Sequence, residues 1–130
     1  MTGEAALRKT VEAWLEAMNA GDFEGLRRLS DPQIEIVGPR GAGKGHALLQ
    51  VWLQRAGLRL ETRKIHVHSE ILVADQHGVW TSPDGNRTEA DLASLFEIAD
   101  GRVHRFQRFE NLEQALAQAG ITSHLTGEGL

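Results

Sequence analysis

The chain has 130 residues, with 14 Lys or Arg against 18 Asp or Glu, so its formal net charge is -4 at neutral pH. This length suits one domain, and the acidic balance argues against a broad nucleic-acid-binding surface, which needs clustered positive charge. The absence of Cys excludes disulfide bonds and thiolate chemistry. No apolar run is long enough to span a membrane and no signal-peptide pattern is present, so we expect a cytoplasmic protein without membrane contact.

The first third of the chain predicts helices. Apolar residues recur at helical spacing from Leu7 to Met18, which indicates an amphipathic helix with one buried side. Gly21 is a typical left-handed stop, and Asp22 can cap a second, short helix. The dipeptide Asp31-Pro32 ends that helix, because a residue before Pro disfavours helical geometry.

A glycine-rich segment, residues 38–45, follows a short strand at 34–37 and precedes a third helix from about His46 to Ala56. The segment resembles a phosphate-binding loop, but such a loop needs Ser or Thr after Lys44, and Gly45 stands there. We therefore interpret it as a loop leading into the helix. The wide apolar stripe of the third helix predicts that it is largely buried.

From residue 58 onward the pattern predicts strands at 58–67, 71–82, 88–98 and 102–110, with turns at 68–70, 83–86 and 100–101. A last helix begins after Asn111 and ends before Gly120. Helices followed by an antiparallel meander indicate an α+β fold, in which the sheet curls around the first helix and leaves a pocket. We expect one domain over residues 1–121 and a flexible tail over 122–130.

Two segments resemble the nuclear-transport-factor-2-like superfamily. One is the stretch 11–29 with the helix junction Asn-Ala-Gly-Asp at 19–22, and the other is the hairpin at 95–103 around Asp100-Gly101. The turn at 83–85 lies at the spacing of the limonene epoxide hydrolase and SnoaL-like branches. The resemblance covers roughly residues 4–120. It implies a cone-shaped, curved antiparallel sheet wrapped around N-terminal helices, with a cavity that holds a ligand.

The catalytic residues of these relatives are not retained. Limonene epoxide hydrolases use an Arg and two Asp residues, and ketosteroid isomerases use an acidic base and two oxyanion donors. The matching positions hold Gln76, Gly78 and Arg108 for the hydrolases, and Gly38, Trp14 and Ser94 for the isomerases. Without a base near the reacting carbon and donors at the oxygen, we expect neither mechanism.

Strand alternation nevertheless predicts a cavity lining. The candidate ligand-binding residues are Trp14, Met18, Gln76, Trp80, Ser94, Phe96, His104, Phe106 and Arg108. Each aromatic residue alone could equally belong to the core. A buried guanidinium at Arg108 needs a partner, because an unpaired buried charge is costly. That partner is either an acidic side chain (Glu35, Asp91 or Glu110) or a ligand anion.

Metal and cofactor binding are not expected. His66 and His68 have the spacing of some metal sites, but the sequence offers no third ligand nearby, and surface histidines explain them better. We also expect a homodimer, because the outward positions of the strands carry apolar residues that would form an exposed patch in a monomer. These residues are Ile71, Val73, Val79, Val103 and Phe109.

Three functions fit these patterns. The first is a protein that binds a small apolar or acidic molecule in the cone. The second is an isomerase, cyclase or hydrolase type of enzyme with a non-standard site, in which His104 acts as acid or base and Arg108 stabilises an oxyanion. The third is a non-catalytic dimerisation module whose own side chains fill the cavity.

Overall fold

The computed structural model describes residues 3–38 and 41–120, so the predicted tail at 122–130 lies outside the described residues. The helices are α1 (Glu4–Ala20), α2 (Phe23–Arg28), α3 (His46–Ala56) and α4 (Leu112–Ala119). The strands are β1 (Ser30–Gly38), β2 (Gly41–Lys44), β3 (Leu58–His68), β4 (Ile71–Thr81), β5 (Arg87–Ala99) and β6 (Arg102–Phe109). None of the helices in the described ranges is both long and apolar enough to cross a membrane.

The six strands form one curled, unclosed sheet in the order β2-β1-β6-β5-β4-β3. Neighbouring strands are antiparallel except β1 and β6, which are parallel. The predicted α+β class is therefore confirmed, while the sheet is mixed rather than wholly antiparallel. The reason lies in the topology. β1 comes before the meander, and it joins the meander at its last strand, β6, through a connection that spans most of the chain.

Local sequence signals near the helix ends and turns are confirmed. Gly21 has φ 70° at the end of α1, and the carboxylate of Asp22 accepts a hydrogen bond of 3.0 Å from the amide of Gly25 in α2. At the β5–β6 hairpin, Asp100 has φ 53° and Gly101 has φ 73°. Two positive φ values in succession define the type I′ turn that suits the twist of a hairpin. These signals place the helix junction and the last hairpin as predicted.

The glycine-rich segment is not a loop throughout. Residues Gly41–Lys44 form β2, which pairs with β1 from Glu35↔Lys44 to Gly38↔Gly41. Glycine is a poor strand former, so residues 41–44 carry no strand signal in the sequence. The strand forms through its pairing with β1. His68 likewise belongs to the end of β3 rather than to the following turn.

The prediction that α3 is largely buried is wrong. Leu48 and Val51 are 37% and 42% exposed, whereas Leu49 is fully buried and Trp52 is partly buried. The helix packs on the sheet through one narrow side, at spacings of three and four residues. The wall next to Leu48 is β2, and Gly43 there has no side chain that could cover the helix.

Part of the outer face of the sheet is covered by α4. Val73, Ala93 and Leu95 form a second buried cluster with Ala115, Leu116 and Ala119, and Ile71 and Phe109 pack against it. Val103 instead lies in the main core. The argument for a homodimer from an exposed apolar sheet face therefore fails for four of its five residues, because the last helix of the same chain covers three of them and Val103 lies in the core. Val79 belongs to neither cluster.

The side chain of Asn19, near the end of α1, binds the backbone of β3. Its Nδ2 donates to the carbonyl of Leu60 at 2.9 Å, and the amide of Leu60 donates to its Oδ1 at 2.8 Å. Because β3 is an edge strand, these two backbone groups have no strand partner on that side. Asn19 thus ties the helix junction to the edge of the sheet.

Candidate ligand-binding site

The deep interior of the cone is filled by aromatic side chains. Trp14, Trp52, Phe96 and Phe106 contact one another with ring centres 4.8 to 6.2 Å apart. The indole Nε1 of Trp14 donates to Ser30 Oγ at 2.9 Å, so its polar group is satisfied within the protein. Trp14 and Phe96 are fully buried. These two predicted lining residues are therefore core residues in this conformation.

Gln76 and Ser94 are also buried and satisfy each other. Ser94 Oγ donates to Gln76 Oε1 at 2.7 Å, and Gln76 Nε2 donates to Thr62 Oγ1 at 3.0 Å. Both residues are 0% exposed. A buried chain of paired polar groups stabilises the sheet, and it offers no unpaired side-chain group of these two residues to a ligand.

A pocket of about 620 Å³ lies beside this aromatic core, between α3, the β1–β2 hairpin and the inner face of β4 and β6. One wall consists of Ile36, Val37, Gly38, Gly41, Ala42 and Gly43, and the rest of Leu48, Trp52, Trp80, Phe106 and Arg108. Apart from Ile36 and Val37, the first wall consists of Gly and Ala residues, so a ligand can approach the backbone closely there. The opposite wall is aromatic and contains one positive charge. The volume is in the range of small-molecule sites.

Arg108 is the charged group of the pocket. Its Cζ lies 5.6 Å from the ring centre of Trp80, which is a cation–π contact. Among residues 3–38 and 41–120, no carboxylate lies within salt-bridge distance of Arg108. Two of the three predicted partners are engaged elsewhere, since Glu35 pairs with Arg105 at 3.1 Å and Asp91 with Arg63 at 2.9 Å. Burial lowers the pKa of Arg108, because no nearby negative charge compensates the lost hydration.

Trp80 owes its position to Gly78 on the same strand. A Cβ at Gly78 would lie 3.0 Å from Cη2 of Trp80 and 2.6 Å from Cδ2 of Leu92. The indole therefore occupies the space that a side chain at residue 78 would need. From this position the ring reaches across β5 toward Arg108, which lies on β6 opposite Ser94.

His104 does not join the pocket. The pairing of β5 with β6 shifts between Glu97↔Arg105 and Ile98↔Val103, so residue 104 is the extra residue of a bulge. The bulge breaks the alternation that predicted His104 on the same face as Phe106. The His104 side chain is 41% exposed, and its Nε2 lies 3.4 Å from Asp31 Oδ2. His104 is therefore not placed to act with Arg108.

The structure thus brings together three of the nine predicted residues, Trp80, Phe106 and Arg108. Met18 is 3% exposed and borders a different cavity near the end of α1. Sequence reasoning missed Trp52 and the glycine wall. Trp52 lay in the apolar stripe of α3, where a core role was the simpler interpretation. The glycine wall belongs to the segment 38–45, which the sequence predicts to be a loop.

Solved structures with this architecture are numerous, and several cover nearly the whole chain. TerC, crystallised with polyporic acid, is 21% identical with a TM-score of 0.73, over 87% of this chain and 96% of that one. SalBIII, an epoxide hydrolase/cyclase-like enzyme of pyran ring formation in the polyether salinomycin, is 14% identical with a TM-score of 0.77 over the same shares. A nuclear-transport-factor-2-like protein from Burkholderia xenovorans LB400 is 20% identical with a TM-score of 0.73, over 92% and 98%. No curated protein matches the sequence.

These likenesses establish the class of the fold, a nuclear-transport-factor-2-like α+β domain with a curled sheet around its N-terminal helices. The sequence itself gives the family. The model of the SnoaL-like domain matches residues 11–106, and the chain belongs to that family.

Proposed function

We propose that the chain is a small-molecule-binding protein whose pocket takes an apolar ligand with an acidic group beside Arg108. The carrying observation is the guanidinium of Arg108, which lies over Trp80 in a largely apolar pocket without a carboxylate partner among the described residues. A planar guanidinium in a partly desolvated site favours a planar, bidentate anionic acceptor. A ligand carboxylate, sulfonate or enolate supplies such an acceptor.

The walls of the pocket support a flat ligand. The glycine-rich wall at Gly38, Gly41 and Gly43 faces the aromatic wall around Trp52 and Trp80, so a ring system could lie between backbone and indole. TerC, which was crystallised with polyporic acid, has the same fold. Apolar burial would contribute about 25 cal/mol per Å² of ligand surface removed from water.

Replacement of Arg108 tests the proposal. The probe is naphthalene-1-sulfonate, measured by isothermal titration calorimetry. In Arg108→Leu the affinity should fall about 10- to 100-fold, because hydrogen bonds to a charged group contribute roughly 1.5–3 kcal/mol. The melting temperature should stay the same or rise, because a partly buried charge without a charged partner has been removed.

The matched control is Arg102→Leu, the same change at an exposed residue of the same strand. It should leave the affinity for naphthalene-1-sulfonate unchanged. The proposal is contradicted if Arg108→Leu lowers the melting temperature and leaves binding unchanged. In that case Arg108 acts as a structural residue.

The remaining expectations stay predictions. A catalytic role that uses His104 receives no support from the exposed position of that residue beside Asp31.

The predicted homodimer is no longer supported by an exposed apolar face of the sheet. Its remaining support is the exposure of Leu48 and Val51 on α3. Light scattering checks the oligomeric state, and a monomer at micromolar concentration would contradict the dimer. The cytoplasmic location rests on composition alone, and cell fractionation checks it.

A further inference from the structure

Arg108 and Trp80 border a second cavity besides the pocket described above. This smaller cavity has a volume of about 290 Å³ and lies where β4 and β6 end and β5 begins. Its other lining residues are Ala90, Asp91, Leu92, Phe109 and Glu110. Arg108 and Trp80 are therefore lining residues of both the pocket and the smaller cavity.

The chemistry of the smaller cavity differs from that of the pocket. Trp80, Leu92 and Phe109 give it apolar walls, and its volume exceeds the ~150 Å³ of an apolar cavity that holds benzene. The acidic residues Asp91 and Glu110 also line the cavity, which disfavours a negatively charged ligand group there. The cavity therefore suits one neutral ring.

Arg108 can bind an acidic group of a ligand that extends into both the pocket and the smaller cavity. A guanidinium carries five N–H donors around its edge, while its face is free to lie over an aromatic ring. With Cζ 5.6 Å from the centre of Trp80, the ring contact leaves donors for an anion. The acidic group of a ligand would then be central rather than terminal, with an apolar part on either side.

We infer that the ligand has two apolar arms joined at one acidic group, with the larger arm in the pocket, the acidic group at Arg108 and a neutral ring in the smaller cavity. This inference rests on the proposed function, because it assigns the ligand class of the same site. It adds that the cavity beyond Arg108 selects two-armed ligands over one-armed ligands.

A pair of probes and a cavity-filling variant test the inference. Naphthalene-1-sulfonate has one arm, and 8-anilinonaphthalene-1-sulfonate carries a second aromatic ring next to the same sulfonate. Titration calorimetry should show the two-armed probe binding about 10-fold more tightly, the effect expected from burying one further ring. Ala90 is exposed at the border of the cavity, so Ala90→Phe can fill the space without disturbing the core.

In Ala90→Phe the advantage of the two-armed probe should disappear, while the affinity for naphthalene-1-sulfonate stays the same. Ala90→Leu, which adds a smaller side chain, should remove part of the advantage of the two-armed probe. The matched control is Ala117→Phe, the same change at an exposed residue of α4, and it should leave both affinities unchanged. Equal affinities for the two probes, or an advantage that persists in Ala90→Phe, would overturn the inference alone. Binding of naphthalene-1-sulfonate that does not depend on Arg108 would overturn the proposed function and this inference together.

Discussion

At the scale of single residues, two small residues on neighbouring strands decide what occupies the inner face of the sheet. Gly78 gives the indole of Trp80 and the side chain of Leu92 the space that a Cβ would fill. Ser94 supplies the hydroxyl that satisfies the buried amide oxygen of Gln76. One residue thereby positions a pocket wall, and the other closes the sheet interior to a ligand.

Replacement of Ser94 separates a structural role from a binding role. In Ser94→Ala the buried Oε1 of Gln76 loses its donor, so the free energy of unfolding should fall by about 1–3 kcal/mol. The affinity for naphthalene-1-sulfonate should not change, because Ser94 does not line the pocket. Urea unfolding and titration calorimetry check the two expectations. If Ser94→Ala lost binding and kept its stability, Ser94 would be a ligand-binding residue instead.

At the scale of elements, the side chain of Asn19 joins the junction of α1 and α2 to the sheet. The amide of Asn19 makes two hydrogen bonds to the backbone of Leu60, in the manner of a short strand at the edge of β3. This contact explains physically why the segment at 19–22 helps to define the fold. Gly21 turns the chain at the end of α1, Asp22 caps α2, and Asn19 joins the turn to the sheet.

The Asn19→Ala variant should lose about 1–3 kcal/mol of stability, because the amide and carbonyl of Leu60 would lose their partners. Ala is the better helix former, so any change in helix propensity works against this loss. Amide hydrogen exchange followed by NMR should become faster at Leu60. Glu16→Ala, at an exposed position of the same helix, is the control and should leave exchange at Leu60 unaltered. Unchanged exchange at Leu60 in Asn19→Ala would refute the proposed role.

At the scale of the whole molecule, a group of charges on the outer face of the sheet makes stability depend on pH. His77 Nδ1 lies 2.9 Å from Asp91 Oδ1 and Nε2 lies 2.8 Å from Glu89 Oε1. Because carboxylates only accept hydrogen bonds, the protonated imidazolium is the form that can donate to both. Arg63 binds Asp91 and Arg87 binds Glu89 from the other sides. The hydrogen bond to Asp91, and then that to Glu89, raises the pKa of His77 above its ordinary 6.5.

The sign of the pH dependence follows from these shifts. A raised pKa in the folded state contributes stability that is fully present below 6.5 and is lost as the pH rises through the raised value. The pKa values of Asp91 and Glu89 are lowered, chiefly by the hydrogen bonds to His77, so their contribution is lost as the pH falls through those lowered values. The network is therefore strongest in mildly acidic solution.

The measurement is the difference in melting temperature between the natural chain and His77→Gln as a function of pH. We expect the difference to be greatest in mildly acidic solution below pH 6.5 and to shrink as the pH rises from 6.5 through the raised pKa of His77. Salt should reduce it, because the charges are exposed. A difference that is constant across this range would show that the imidazolium does not form.

The sequence by itself determined the class of the fold and its elements other than β2. Helix stops such as Gly21, the cap at Asp22 and the turn at Asp100-Gly101 act within a few residues, so they can be interpreted without tertiary contacts. Alternation along β4 and β5 correctly separated the buried face of Gln76 from the face of Val73, because no bulge interrupts their pairing.

Only the tertiary structure decided which of the predicted residues share a pocket. The bulge in β6 moved His104 out of line, and a bulge is a property of the pairing of two strands rather than of one sequence. The helix α4 covered the face that had indicated a dimer, and the strand β2 formed from glycines through pairing with β1. Arg108 has no carboxylate partner among the described residues, and this too is a tertiary effect. The carboxylates of Glu35 and Asp91 bind Arg105 and Arg63 instead. Each outcome depends on long-range contacts, which the periodicity of one segment does not encode.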